Sequence, residues 1–262
     1  MSSPPDREAI VTTGRRLPTD VAASILKEKY PNALFAFVGG SFNRGEATLY
    51  SDIDLVVIFQ TLDHAWRESF VFEDWPVEAF VHDPETLRYF FQEVDAKSAV
   101  LSLPAMVMEG PVVPCTHPMA VELKALAQGV LNGQPALWDL DTLDSKRYRI
   151  TDLIDDLRDP RTDLEAAATI GILHEELGDF YFRSKGWWSA SRKHIPRRLA
   201  AVDPALALRW NEAFIEAWRG QPDKVVLLAH DILTPCGGFL FAGYRRNAPP
   251  AWRTGRYLLD GE

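Results

Sequence analysis

Hydrophobic residues in the first part of the chain form short runs separated by turn residues, a pattern typical of β-strands. The segment LFAFVGG predicts a buried strand that ends in a double-glycine turn. In DIDLVVIFQ, the apolar Ile53, Leu55 and Val57 alternate with Asp52 and Asp54, which predicts a second strand. The segments SFVFED and PVEAFVHD predict a third and a fourth strand, and AMVMEGPVVP is a candidate fifth.

Helical spacing appears on either side of these strands. TDVAASILKEKYP predicts a helix that is capped by Thr19 or Asp20 and ended by Pro31. A second helix is predicted from Asp83-Pro84 to about Val94. The fold class expected for residues 1–115 is therefore α+β, with a mixed sheet of about four or five strands and flanking helices.

After Pro114 the pattern changes to long helical periods, which predicts a second domain over residues 116–262. We expect a bundle of about five helices in this half. An irregular tail is expected from Gly237 onward. The predicted helices are PMAVELKALAQGVL, a stretch from about Thr142 to Leu157, DLEAAATIGILHEELGDFYFRS, ALALRWNEAFIEAW and PDKVVLLAHDIL.

Charge and composition exclude several classes of protein. The 262 residues carry a net charge of -9, which opposes binding to duplex nucleic acid. The chain lacks the run of about 20 apolar residues that a membrane span needs. Its polar N-terminus lacks the apolar core of a secretory signal, so we expect a cytoplasmic protein.

The charge is unevenly distributed along the chain. Residues 1–115 carry 9 Lys or Arg against 17 Asp or Glu. Residues 183–198, with the sequence RSKGWWSASRKHIPRR, contain six Lys or Arg and no carboxylate. The two halves are therefore expected to supply an acidic site and a basic strip, respectively.

The sequence VGGSFNRGEATLYSDIDLVV contains the sharpest candidate chemistry. Side chains at positions i and i+2 of a strand share a face, so Asp52 and Asp54 are expected to lie side by side. Two adjacent carboxylates are tolerable when a divalent cation lies between them, and oxygen ligands of this kind suit Mg²⁺ completed by substrate phosphates. Upstream, Gly39, Gly40 and Ser41 are expected to present backbone N–H groups and a hydroxyl to an anion.

A third carboxylate is expected from Glu78 in the segment WPVEAFVHD. Val77, Ala79 and Val81 form the apolar face of that strand, which leaves Glu78 and His82 on the other face. Asp74 and Asp83 are weaker candidates because both lie among turn residues at strand ends. Glu78 could instead be an ordinary surface residue of the strand.

This pattern resembles the signature of the nucleotidyltransferase superfamily, which includes DNA polymerase beta, the aminoglycoside nucleotidyltransferases and the minimal nucleotidyltransferases. The matching residues are Val38-Gly39-Gly40-Ser41, a spacer from Phe42 to Ser51, and Asp52-Ile53-Asp54-Leu55. The Arg44-Gly45 and Ser51-Asp52 pairs are also similar to bacterial members.

The resemblance implies that residues 1–115 are the catalytic domain and assigns roles within it. It makes Asp52 and Asp54 the Mg²⁺ ligands, with Glu78 as a third ligand or general base. Gly39, Gly40 and Ser41 would contact the triphosphate, and we add Arg44 as a candidate, although Arg44 could instead pair with Glu46. The helical half is similar to the C-terminal bundle of kanamycin-type members, which implies triphosphate contacts from Lys193 and Arg192. These two residues could equally form a solvated helix face.

The expected activity is transfer of a nucleoside monophosphate to a hydroxyl of a small-molecule acceptor such as an aminoglycoside. AMP, transferred from ATP, is the expected nucleotide. Two alternatives are a protein-adenylylating transferase of the antitoxin type and a non-catalytic nucleotide sensor. No duplex nucleic acid or membrane is expected as a partner, and a homodimer is left open.

Some chemistry-bearing side chains are interpreted as structural. Cys115 and Cys236 lie 121 positions apart without a metal-binding motif, so both are predicted to be buried apolar residues. His174 is predicted to be a packing residue. Trp187 and Trp188 are predicted to be core residues, with stacking on a ligand as the alternative.

Overall fold

The computed structural model describes residues 15–48 and 50–248, with Arg44 described by its backbone alone. The chain divides between Pro135 and Ala136 into two compact units, each described below by itself. None of the helices in the described part of the chain is long and apolar enough to cross a membrane.

The first unit is built on a mixed five-stranded sheet, as the sequence predicts. Its strands are β1 (Phe35–Gly39), β2 (Ile53–Ile58), β3 (Trp66–Phe72), β4 (Trp75–His82) and β5 (Val112–Val113). The strand order is β3-β4-β2-β1-β5. The pair β2 and β4 is parallel, whereas the other neighbouring pairs are antiparallel.

Helices cover both faces of this sheet. One face packs on α1 (Pro18–Lys29) through residues such as Val21, Ile25, Val38 and Leu55. The opposite face packs on helices that follow β4 in the chain. These are α2 (Pro84–Tyr89), a π-helical turn (Phe90–Asp95), α4 (Ser102–Glu109) and α5 (Pro118–Leu131). The short α3 (Ala96–Ser98) follows the π-helical turn and buries no residue.

The first helix begins earlier than predicted. Pro18 occupies its first turn, where the fixed φ of proline suits a helix and its missing N–H costs no hydrogen bond. The cap position is Leu17, without a side-chain cap, so the prediction of Thr19 or Asp20 as the cap is wrong. The helix ends at Lys29, just before Tyr30 and Pro31, in agreement with the predicted end.

The first half of the predicted fifth strand is a helix. Leu103, Pro104 and Val107 of α4 are buried against the sheet at helical spacing. The Lys124 ammonium donates to the Met108 and Gly110 carbonyls at the C-terminal end of this helix, at 3.1 and 2.9 Å, and satisfies two acceptors there. Because this helix occupies the segment up to Glu109, β5 is limited to Val112–Val113.

The boundary between the units also differs from the predicted division at residues 115 and 116. Helix α5 was expected in the helical half, but Ala120, Leu123 and Ala127 pack into one cluster with Phe35 and Phe37 of the sheet. This burial joins α5 to the first unit, and the boundary falls after Pro135.

The second unit is helical, as predicted. It comprises α6 (Leu140–Arg158), α7 (Asp163–Ser184), α8 (His194–Val202), α9 (Pro204–Trp218) and α10 (Asp223–Leu233). Helix α8 was not predicted from the sequence. Close packing of α8 on α7 depends on Gly178, since a Cβ at this position would lie 2.9 Å from Ile195.

The described part of the C-terminal tail, residues 237–248, has neither helix nor strand, as predicted. Arg147 donates to the carbonyls of Gly237 and Gly238 at 2.7 and 2.9 Å, and Tyr244 stacks on Tyr148 with ring centroids 4.2 Å apart. These contacts attach the tail to α6.

The prediction of two buried cysteines is wrong. Cys115 is exposed in the loop between β5 and α5, and Cys236 is half-buried in the 3-10 turn that follows α10. Trp188 is buried and Trp187 packs partly against the core, in agreement with their core interpretation. His174 packs edge-on against Trp210 and Phe214, and burial lowers the pKa of its ring, as suits a packing residue.

Candidate metal and nucleotide site

The register of the sheet aligns three of the predicted site residues in one row. Asp54 of β2 lies opposite Gly39 of β1 on one side and opposite Glu78 of β4 on the other. Because residues paired across strands project to the same face, Asp54 and Glu78 extend from the face covered by α2, α4 and α5. The sequence predicted Glu78 on a neighbouring strand, and the structure places it there.

Asp52 lies just before β2 and reaches the same place from the loop. One carboxylate oxygen each from Asp52, Asp54 and Glu78 lies within 4.8 Å of the others. We call these three residues the acidic triad. Asp52 is exposed, whereas Asp54 and Glu78 are half-buried. The triad is the only group of three or more His, Cys, Asp or Glu ligands in metal-binding proximity among the residues that the structure describes.

The donor set of the triad fits a hard divalent cation. Three carboxylates in this proximity repel one another, and a cation between them removes that repulsion. Mg²⁺ takes oxygen ligands, keeps several waters and is commonly held by one or two carboxylates together with substrate phosphates. The partial exposure of the triad leaves space for such additional ligands.

The double-glycine turn lies directly against the triad. A Cβ on Gly39 would lie 3.2 Å from the Asp54 Cβ and 3.1 Å from the Met106 Cγ. Gly40 has a φ of 102°, a conformation that side chains of L-residues rarely adopt, and its Cβ would lie 3.5 Å from Asp54 Oδ2. The two glycines therefore let the backbone turn pass close beside the carboxylates.

The loop after this turn is closed by short hydrogen bonds. A 3-10 helix, Ser41–Arg44, follows the glycines. The Ser41 hydroxyl donates to Ser51 Oγ at 2.9 Å, and Ser51 Oγ also accepts from the Thr48 N–H at 2.8 Å. Asn43 donates from its side chain to the Val38 carbonyl at 2.6 Å. Ser41 is thereby held at the start of the loop, and its triphosphate contact stays a prediction.

The triphosphate contacts expected from Arg44, Arg192 and Lys193 stay predictions. Only the backbone of Arg44 is described, so its role stays a prediction. Arg192 and Lys193 are exposed residues of the second unit, immediately before α8, and Arg192 has a φ of 49°. Their contribution to the triphosphate site also stays a prediction.

Arg67, which was not predicted as a site residue, forms an ion pair with Glu78. Its guanidinium lies over the ring of Phe80, 4.9 Å from the centroid. The third strand was predicted to begin at Ser69, whereas β3 begins at Trp66. Extending the strand alternation back from Ser69 would have placed Arg67 on the same face of β3 as Ser69, but only the pairing of β3 with β4 shows that this is the face of Glu78.

His82 shares the face of Glu78 but lies at the other end of β4. It is 3% exposed and packs edge-on against Phe90, with ring centroids 4.9 Å apart. Burial lowers the pKa of His82 to about 4, and the charge of Asp83 opposes this shift without cancelling it. His82 is therefore a neutral packing residue at neutral pH.

The segment that contains most of the sheet and the acidic triad matches a known protein family. Residues 20–104 match the family model of the nucleotidyltransferase domain, so the first unit contains a domain of this family. The match includes β1 to β4 and all three residues of the acidic triad.

Comparison with solved structures and with curated proteins adds less. The crystal structure of a nucleotidyltransferase-like protein from Exiguobacterium sibiricum 255-15 is 13% identical and covers 83% of this chain and 79% of its own, with a TM-score of 0.37. Similarity at this level is too low to support a conclusion about fold or function. A search of curated proteins finds no match to the chain.

Proposed function

We propose that this protein is a Mg²⁺-dependent nucleotidyltransferase that transfers a nucleoside monophosphate to a hydroxyl of a small-molecule acceptor. The proposed nucleotide is AMP, transferred from ATP. The observation that carries the proposal is the acidic triad, whose ligand oxygens lie within 4.8 Å of one another beside the Gly39-Gly40 turn. The match of residues 20–104 to the nucleotidyltransferase domain family supports transfer of a nucleotide.

Asp52 and Asp54 would hold the cation, with Glu78 as a third ligand or as the base. When bound, Mg²⁺ supplies charge neutralisation and Lewis acidity for the triphosphate. Asp54 is anchored in the sheet between β1 and β4, so its carboxylate is well fixed. Asp52 lies in the preceding loop and can adjust to the bound nucleotide.

The other residues would position the triphosphate and the acceptor hydroxyl. The Gly39-Gly40 turn and Ser41 would contact the phosphates, with Arg44, Arg192 and Lys193 as candidates for neutralising the leaving pyrophosphate. In the base role, Glu78 would accept the proton of the attacking hydroxyl. The bond that forms joins the acceptor oxygen to the α-phosphorus, and the bond that breaks releases pyrophosphate.

A hydroxylated small molecule is the acceptor class that the charge of the chain favours. The net charge of -9 opposes a polynucleotide acceptor, and the acidic balance of residues 1–115 suits a cationic acceptor such as an aminoglycoside. We place the reaction in the cytoplasm.

The test incubates the protein with Mg²⁺, each of four labelled NTPs and a panel of aminoglycosides, lincosamides and cell metabolites. Pyrophosphate release and a product heavier by one nucleoside monophosphate support the proposal. Nucleotide binding without pyrophosphate release would indicate a sensor, and transfer to an added protein would indicate the protein-modifying alternative.

The site assignment is tested in the same assay with Asp54→Asn. This variant should lose roughly a thousandfold or more of the turnover, since electrostatic stabilisation of the transferred phosphoryl group supplies most of the catalysis. Asp74→Asn is the matched control, because Asp74 lies in the exposed β3–β4 turn at a positive φ that asparagine tolerates. Equal turnover in Asp54→Asn and wild type would reject the assignment.

A further inference from the structure

Strand β3 brings a guanidinium to the acidic triad. Arg67 of β3 lies directly opposite Phe80 of β4 and diagonal to Glu78, on the same face of the sheet. A long side chain can cross this diagonal in an antiparallel pair. The residue directly opposite Glu78 is Ser69, whose short side chain leaves the diagonal open.

Two contacts hold the guanidinium in this position. One nitrogen donates to Glu78 Oε1, and Arg67 Cζ lies 4.9 Å from the centroid of the Phe80 ring. Phe80 packs in turn against the buried cluster under α2, α4 and α5. The Arg67 side chain is 59% exposed, and an exposed ion pair by itself orders two side chains weakly. Stacking on a ring that is fixed in the core gives Arg67 a defined place.

We propose that Arg67 is a positioning residue that holds the Glu78 carboxylate beside Asp54 and serves as its counter-charge until a divalent cation binds. The inference rests on the proposed function, since it assigns Glu78 to the nucleotidyltransferase site. With one oxygen occupied by Arg67, Glu78 keeps its second oxygen for the cation or for the acceptor proton. Arg67 also offsets one of the three negative charges of the triad.

This role predicts opposite effects on cation binding and on turnover. The guanidinium competes with a divalent cation for Glu78 and repels it, so loss of Arg67 should tighten cation binding. The same loss leaves Glu78 free to leave its position, which should slow transfer. A purely structural role would weaken both properties, and a contact to the triphosphate would raise the KM for the nucleotide.

The first experiment measures Mn²⁺ binding without nucleotide, from the electron paramagnetic resonance signal of free Mn²⁺. Arg67→Ala should lower the Kd by roughly threefold to tenfold, the range for one unit charge near a partly solvated divalent ion. Arg67→Lys keeps the charge and should stay within about twofold of wild type. Arg88→Ala, on an exposed position of α2, removes an equal charge elsewhere in the unit and should have no effect.

A double-mutant cycle with Glu78→Gln shows whether Arg67 acts through Glu78. In the Glu78→Gln background, Arg67→Ala should lower the Mn²⁺ Kd by a clearly smaller factor than in the wild-type background, because the competition for Glu78 is gone and only the repulsion between the guanidinium and the cation remains. An equal change in both backgrounds, or weaker Mn²⁺ binding in Arg67→Ala, would overturn the proposal. Should Arg67→Ala fail to fold, Phe80→Leu is the second variant, because it removes the ring on which Arg67 stacks. It should lower the Mn²⁺ Kd by a smaller factor than Arg67→Ala. An unchanged Kd in Phe80→Leu would overturn the proposal.

The second experiment measures nucleotidyl transfer in Arg67→Ala. The kcat should fall roughly tenfold, with the KM for the NTP within about twofold of wild type, because the residue orients Glu78 and does not bind the nucleotide. A raised KM with unchanged kcat would contradict this. The Mn²⁺-binding experiment needs no acceptor. If the double-mutant cycle gives the predicted Mn²⁺ affinities but no transfer is found, the proposed function is contradicted and the role of Arg67 is not.

Discussion

Two ends of one face of the sheet carry polar residues in the same alternating pattern, yet their surroundings differ. Three rows cross β1, β2 and β4 on this face: Gly39–Asp54–Glu78, Phe37–Val56–Phe80 and Phe35–Ile58–His82. The last row is covered by helices, and its His82 is 3% exposed. The first row lies at the end that we call uncovered: Met106 of α4 packs beside Gly39, but Asp54 and Glu78 are only half-buried and Asp52 is exposed.

Alternation along a strand therefore predicts which face a polar residue lies on. The helices that cover that face determine whether the residue is buried or accessible to ligands. At the covered end, burial lowers the pKa of His82 to about 4 and keeps the ring neutral. At the uncovered end, a small turn at Gly39-Gly40 leaves the carboxylates accessible to solvent and ligands. Substitutions at the two ends should therefore affect different properties.

The largest expected effect is on turnover at the uncovered end. Glu78→Gln should lower kcat by roughly a hundredfold to ten-thousandfold, the range for loss of a general base, and should leave the free energy of unfolding nearly unchanged. His82→Gln should do the reverse, with turnover close to wild type and reduced stability. Steady-state kinetics and urea unfolding of both variants test this, and a loss of turnover in His82→Gln equal to that in Glu78→Gln would break the distinction.

The next effect is the pH dependence of stability at the covered end. Because the folded-state pKa of His82 is lowered from 6.5 to about 4, its contribution is fully present above pH 6.5 and is lost as the pH falls toward 4. The loss between pH 7 and pH 4.5 should be roughly 2 kcal/mol. Urea unfolding at several pH values measures how steeply the free energy of unfolding falls as the pH is lowered. This dependence should be weaker in His82→Leu and unchanged in His64→Leu, whose position is exposed. An unchanged slope in His82→Leu would show that other groups control acid stability.

A smaller effect is expected where α2 begins, next to His82. Asp83 Oδ1 accepts from the Thr86 N–H at 2.8 Å, and Oδ2 accepts from the Leu62 N–H at 2.9 Å. Asp83→Ala should reduce the free energy of unfolding by about 1–2 kcal/mol, as expected for loss of a cap. The exposed neighbour Glu85→Ala is the control for urea unfolding. Equal stability of the two variants would rule out an important capping role.

The smallest expected effect is on nucleotide affinity from the second unit. Lys193→Ala should raise the KM for the NTP by roughly threefold to tenfold, which corresponds to one charge-assisted contact of about 1 kcal/mol. Lys27→Ala, an exposed position of α1, removes the same charge and should leave the KM unchanged. Equal KM values for the two variants would show that Lys193 of the basic strip does not contact the nucleotide.

The sequence predicted the residues whose positions depend on local periodicity. Alternation placed Ile53, Leu55 and Val57 in the core, and Asp54 and Glu78 on the other face. The acidic pair after Gly39-Gly40 was recognisable because a turn, a spacer and a strand lie within one short segment.

Features that depend on partners distant in the chain were not predictable in this way. The pairing of β3 with β4 determines that Arg67 reaches Glu78, and no local pattern contains that register. The short apolar run of α4 suited a strand as well as a helix until the sheet and Lys124 provided its contacts. Tertiary packing also decided that α5 belongs to the first unit.

The most direct measurement for the acidic triad is a Mn²⁺ titration of wild type, Asp54→Asn and Asp74→Asn, followed by electron paramagnetic resonance. Wild type and Asp74→Asn should bind with the same Kd, whereas Asp54→Asn should bind at least about tenfold more weakly because a charged ligand is lost. Equal Mn²⁺ affinity in all three proteins would contradict a cation site at Asp52, Asp54 and Glu78.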